Sequence, residues 1–129
     1  MFTLEQIKAA HSQVKSGADF PAYIRDIKTL GVTRYDTYVT NGRTDYQGTD
    51  NYTVISPGRF GPLTIATAAD AATFKAGLKA HQQGKTDFMQ FIQLCAETGV
   101  EKWTVRMDKM TCTYYDLSGK EVLEEGIPG

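Results

Sequence analysis

A degraded internal copy limits what this chain can fold into. Residues 19–61 laid over residues 87–129 at a fixed offset of 68, without gaps, coincide at nine of 43 positions. Unrelated chains of ordinary composition would match at roughly one position in sixteen. The matches fall where a fold would keep them. Asp19 and Asp87 stand at expected helix N-caps, and Gly31 and Gly99 just past the last helical turn, where a left-handed residue is wanted. Between them Phe20, Tyr23, Ile24 and Ile27 meet Phe88, Phe91, Ile92 and Cys95 in the same helical stripe. Beyond the glycines, Val32, Tyr35, Tyr46 and Val54 meet Val100, Trp103, Tyr114 and Val122 at strand-like spacing. The pattern predicts a duplicated α-α-β-β-β unit, with repeat 1 over residues 1–61 and repeat 2 over 69–129.

Thr3-Leu4-Glu5-Gln6 has the form of a capping box and predicts a helix running to about Ser16. Asp19 is expected to cap the second helix, which ends at Leu30-Gly31. From Val32 the apolar period shortens to two, and Asn41-Gly42 predicts a two-residue type I′ hairpin into Arg43–Gln47. A turn at 48–51 leads to a third strand, Tyr52–Ser56. After a Pro/Gly-rich joint at 57–62, a helix capped by Thr67 or Asp70 and a helix over Asp87–Thr98 repeat the order. The third helix fits the first at an offset of 67, so the copies differ by one inserted residue in the Gly84-Lys85-Thr86 turn. Strands follow near 100–107, 111–116 and 121–124.

A half of about 60 residues would bury too little apolar surface to stand alone. The two halves should therefore share one core, making residues 1–129 a single domain of α+β class. The expected form is an antiparallel sheet of about six strands with four helices on one face. The other face, carrying Arg34, Asp36, Tyr38, Arg43 and Asp45 with Lys102, Thr104, Arg106, Thr113 and Tyr115, is expected to be polar and wet.

Fourteen basic and fifteen acidic residues without a like-charge run lack the footprint of a general nucleic-acid binder. No apolar stretch reaches 18 residues and no leader pattern is present, so no membrane partner or signal peptide is expected. Cys95 and Cys112 lie on apolar faces without CxxC spacing, which points to buried, reduced thiols and a cytoplasmic protein. No cofactor motif occurs, and neither a cofactor nor a metal is expected.

His11 and His81 are the candidate ligand-binding residues, because both lie in apolar stripes and only histidine ordinarily changes charge near neutral pH. They read either as a functional pair or as histidines at a stripe edge. Ser56-Pro57-Gly58-Arg59-Phe60-Gly61 offers two glycines and an arginine, but no helix follows to make it a phosphate cradle. Arg34, Tyr38, Lys102, Arg106 and Tyr115 would make the outer sheet face a homodimer or protein-partner interface, since tyrosine and arginine favour docking surfaces. The leading functional reading is a non-catalytic binding or assembly module. The alternative is a small-molecule enzyme or ligand sensor using His11 or His81 in a pocket between helices and sheet.

At Trp103-Thr104-Val105-Arg106 and Met110–Asp116, with Ser56–Gly61 earlier, the chain resembles the YbcV-like family of uncharacterised bacterial and prophage-borne proteins. Some of its members are labelled phage envelope proteins. The resemblance implies an accessory protein of phage-related origin, and it brings no catalytic residue with it.

Overall fold

A computed structural model describes residues 2–15 and 17–127. Its helices are α1 (Leu4–His11), α2 (Phe20–Leu30), α3 (Ala71–Gln82) and α4 (Phe88–Glu97). Its strands are β1 (Arg34–Tyr38), β2 (Thr44–Gln47), β3 (Thr53–Ser56), β4 (Lys102–Arg106), β5 (Thr111–Tyr115) and β6 (Glu121–Gly126). The strands form one antiparallel sheet in the order β3-β2-β1-β4-β5-β6, so the halves join at β1 and β4.

The register at that joint is the one a two-fold axis relating each residue to its partner 68 positions on would require. Asp36 pairs with Thr104, its own counterpart at that offset, while Arg34 pairs with Arg106 and Tyr38 with Lys102. The hairpins agree as well: Tyr35 opposes Tyr46 as Trp103 opposes Tyr114. A register shift between Tyr114 and Tyr115 in the β5–β6 pair has no equivalent between β2 and β3.

Local chemistry accounts for most element ends. Thr3 and Gln6 make a capping box on α1, and Asp87 and Gln90 make one on α4. Asp70 caps α3 by accepting from the amide and hydroxyl of Thr73. Gly31 and Gly99, at φ 113° and 84°, release α2 and α4. The four helices lie on one face, where Ile7, Tyr23, Ile24, Ile27, Phe74, Leu78, Phe91 and Ile92 bury against Tyr35, Val39, Tyr46, Trp103, Val105, Cys112 and Tyr114. One core serves both halves.

Four expectations need correction. Helix α1 stops at His11 and not near Ser16, which itself lies outside the described residues; the Ser12 hydroxyl donates to the Ala9 carbonyl at 2.6 Å, competing with a further helical turn. Asp19 stands at the N-cap of α2 without capping it, because a 3₁₀ turn over Gly17–Asp19 feeds the helix directly and its carboxylate accepts the Lys15 amide at 2.9 Å. The first hairpin forms, but through a four-residue loop in which only Gly42 is left-handed. Asn41 is held out of a type I′ turn by its other duties: its carbonyl accepts from Arg59 and Phe60, and its side chain from the Arg43 amide. The outer face is polar but not uniformly wet, since Asp36, Thr104 and Thr113 on the middle strands are buried beneath longer neighbours.

Candidate ligand-binding cavity

Between the helix layer and the sheet lies a cavity of about 720 Å³, within the usual range for small-molecule sites of about 300–1,000 Å³. Its lining repeats across the two halves. Phe20 and Phe88, Tyr23 and Phe91, Tyr35 and Trp103, Thr44 and Cys112, Tyr46 and Tyr114, and Arg59 and Ile127 all face it, each pair separated by 68 positions. The cavity therefore straddles the pseudo-two-fold axis. It sits where two helix pairs meet over one sheet.

Both histidines line it, each from the last turn of its half's first helix. His11 packs edge-on against Tyr23, with ring centroids 5.3 Å apart. His81 stacks on Phe91 at 4.5 Å, and its Nδ1 lies 3.2 Å from the carbonyl oxygen of Thr86. The same Nδ1 lies 3.1 Å from the Thr86 hydroxyl, which can donate or accept, so Thr86 fixes the ring's position and accommodates either tautomer. Burial lowers the pKa of both imidazoles, helped at His11 by the nearby Arg59 guanidinium and opposed at His81 by Thr86 and Asp87. Both rings are accordingly neutral near pH 7.

The floor is built by alternation along β1, β2, β4 and β5, which sends Tyr35, Tyr46, Trp103 and Tyr114 inward. Tyr23 of α2 meets Tyr46 through their hydroxyls, 3.3 Å apart, and Thr37 meets Thr44 at 3.0 Å. Burial pushes the Tyr23, Tyr35, Tyr46 and Tyr114 phenols up, so all four stay protonated. Above the floor, Arg59 lies 5.0 Å over the Phe88 ring. The cavity offers aromatic faces, phenol donors and three cationic side chains, Lys8, Lys15 and Arg59.

The chemistry of proton transfer is less well served. Neither histidine is hydrogen-bonded or ion-paired to a carboxylate among the described residues. No group of three or more His, Cys, Asp or Glu residues there is placed to hold a metal ion. Cys95 and Cys112 are buried free thiols, with Cys112 pushed up to about 12 by burial, too high for a nucleophile at neutral pH.

The sheet-face residues lie apart from this cavity, on the opposite side of the sheet. Lys102 reaches between Tyr38 and Tyr115, its Nζ 5.9 and 5.4 Å from their ring centroids. Arg34 and Arg106 face each other directly across β1 and β4. Arg34 contacts Asp36 at 3.5 Å, Asp36 also accepts from the Thr104 hydroxyl, and Arg34 Nε is buried without a partner. The structure thus gathers the two histidines at one site and the five interface candidates at another. Arg59 and the aromatic lining were absent from the sequence-derived site; the glycine-flanked loop holding Arg59 was the available signal.

The fold and cavity define an α+β protein with a helix-covered antiparallel sheet and an internal aromatic chamber. The chain belongs to the family described as Protein of unknown function (DUF1398), matched over residues 8–126. No curated protein matches the sequence. Among the described residues no helix is long and apolar enough to cross a membrane.

Proposed function

We propose that this protein is a non-catalytic small-molecule binder, a carrier or sensor whose ligand sits between the helix layer and the sheet. One observation carries the reading: a chamber of about 720 Å³, lined from both halves by aromatic side chains, with His11, His81 and Arg59 among them. A core of this size would ordinarily close such a space, because unfilled volume forfeits packing energy. Binding is favoured over catalysis because, among the described residues, no imidazole is paired with a carboxylate and no thiol is activated. The two unpaired thiols suit a reducing compartment and support a cytoplasmic location. The resemblance to YbcV-like proteins supports a bacterial or prophage-borne origin. The symmetric register supports descent of the halves from one duplicated unit; relatives lacking the offset of 68 at caps and strand faces would undo that.

Trp103 is the single tryptophan and lies on the chamber floor, so it reports on occupancy. A metabolite screen should find compounds that both change Trp103 fluorescence and raise the melting temperature. Ligand at 100 times its Kd adds about 2.7 kcal/mol to stability. Ser56→Phe, at a half-buried lining position on β3, should abolish both effects while the protein stays folded. Binding undiminished by that substitution would place the ligand elsewhere and sink the reading.

A second reading, self-association or docking of an acidic protein surface through the outer face, rests on Arg34 and Arg106. Like charges directly opposite one another destabilise a strand pair, and the buried Arg34 Nε has no partner. An acidic group from outside would relieve the opposition of the two guanidinium charges. Tyr38, Lys102 and Tyr115 would extend that contact along the face. Arg34→Gln with Arg106→Gln should dissolve any dimer seen by light scattering; a monomeric wild-type protein would exclude the homodimer.

A further inference from the structure

The charges lining the chamber are unequal in how they are engaged. Asp87 accepts the Gln90 amide at 2.8 Å, and Glu125 accepts from Gln82 at 2.9 Å, so both acids have protein donors. Lys8, Lys15 and Arg59 make no ion pair with any described residue. Arg59 is also held in a particular way. Its backbone amide donates to the Asn41 carbonyl at 2.8 Å, anchoring the loop, and its guanidinium lies over the Phe88 ring. No described residue takes a hydrogen bond or ion pair from that guanidinium, so its N–H fork is available, and the fork matches a carboxylate in bidentate fashion. The counterpart of Arg59 in the second half is Ile127, which lines the same chamber and offers only apolar surface. The duplicated lining is thus charged at one of its two equivalent positions and apolar at the other.

We infer that the ligand is an amphipathic organic anion: an apolar, ring-containing body lying among Tyr35, Tyr46, Trp103 and Phe91, with one carboxylate-class group against Arg59. This deepens the small-molecule reading and depends on it. Burial among aromatic faces supplies affinity without reading charge, and Arg59 supplies the discrimination between anion and neutral analogue. Lys8 and Lys15 add attraction that salt should weaken.

The test compares 2-naphthoate, its neutral amide 2-naphthamide and the cation 2-naphthylmethylamine, by Trp103 fluorescence titration against wild-type, Arg59→Gln and Arg59→Lys proteins. Wild type should bind naphthoate at least tenfold tighter than the amide, and the amine most weakly. Arg59→Gln should bring naphthoate down to the affinity of the amide while leaving amide binding unchanged. Arg59→Lys should keep part of the preference, since a point charge replaces the fork. Equal wild-type affinity for acid and amide would overturn the anion assignment and leave the chamber as a binding site. Preference for the amine would overturn it in favour of recognition at Asp87 and Glu125. An acid preference that survives in Arg59→Gln would overturn the role of Arg59. No titration by any of the three would remove the anion inference and count against the chamber itself.

Discussion

Substituting alanine at Gly99 and Gly119 separates two costs usually measured together. Both residues sit at φ 84°, where an L side chain is strained. A Cβ at Gly119 meets nothing within 4 Å, whereas one at Gly99 would stand 2.7 Å from the Ala68 oxygen and 2.8 Å from Ala69 Cα. Those atoms are backbone and cannot swing aside. Their segment is tied to the end of α4 by the Ala66 amide on the Ala96 carbonyl at 2.8 Å and the Asp70 amide on the Thr98 carbonyl at 2.9 Å. The left-handed conformation costs an alanine about 1–2 kcal/mol. Forcing a methyl into a packed contact adds about 1–3 kcal/mol. Gly119→Ala should therefore lose only the first amount, and Gly99→Ala about 2–5 kcal/mol in all. Gly31→Ala likewise lacks a packing clash, because its Cβ comes no closer than 3.7 Å to the Phe2 ring, but its φ of 113° lies farther from the left-handed well, so its backbone cost should be at least that of Gly119→Ala. Urea unfolding followed by Trp103 fluorescence measures each loss as a shift in midpoint at constant slope. If Gly99→Ala and Gly119→Ala agreed within about 0.5 kcal/mol, the steric reasoning would fail, since additivity and measurement error leave no room for a separate packing cost.

Phe74 is fully buried between Phe91 and Tyr114, and Phe74→Ala should cost about 3–5 kcal/mol in the same assay. Burial lowers the folded-state pKa of His11 and His81 below the ordinary 6.5, so the unfolded chain protonates first as pH falls. The stability they allow is therefore complete above about pH 6.5 and is lost as pH drops below it; melting temperature should fall between pH 7 and 5, and less so in His11→Asn with His81→Asn. With both thiols buried and raised in pKa, a thiol reagent at pH 8 should modify neither Cys95 nor Cys112 in the native protein and both in urea.

Period and capping made the architecture legible. Alternation placed Tyr35, Tyr46, Trp103 and Tyr114 on the buried face, and Asp70 and Asp87 mark helix starts because their carboxylates answer orphan amides three residues on. Where a polar side chain had two local partners to choose from, the sequence was ambiguous. Asp19 took the Lys15 amide and Asn41 the 59–60 segment, and neither choice is encoded by spacing. The chamber was half legible. The histidines stood out by their polarity in an apolar stripe, but its aromatic walls have the same signature as a filled core. Whether inward rings meet or leave a gap depends on distances between helices that no local pattern records.

The two halves also explain a residue that looks wrong by itself. Met110 is left-handed at φ 50°, uncommon for an unbranched apolar residue, yet its counterpart 68 positions earlier is Gly42 at φ 80°. The two hairpin loops share a left-handed residue at this matched position with and without a glycine, so the conformation is held by the register on either side and residue type is freer than local preference suggests. The chamber follows the same logic. Arg59 and Ile127, His11 and Leu78, and Val14 and His81 stand at matched sequence offsets in the two halves and all line one space, with different chemistry within each pair. A strictly symmetric chamber would present an organic anion with two equivalent orientations. On the proposed binding mode, a guanidinium confined to one half would distinguish head from tail, and reversing that assignment with Arg59→Ile and Ile127→Arg should keep a preference for naphthoate over its amide. Loss of the preference in that doubly exchanged protein, with the fold intact by circular dichroism, would mean that the 59–60 loop does more than carry a charge.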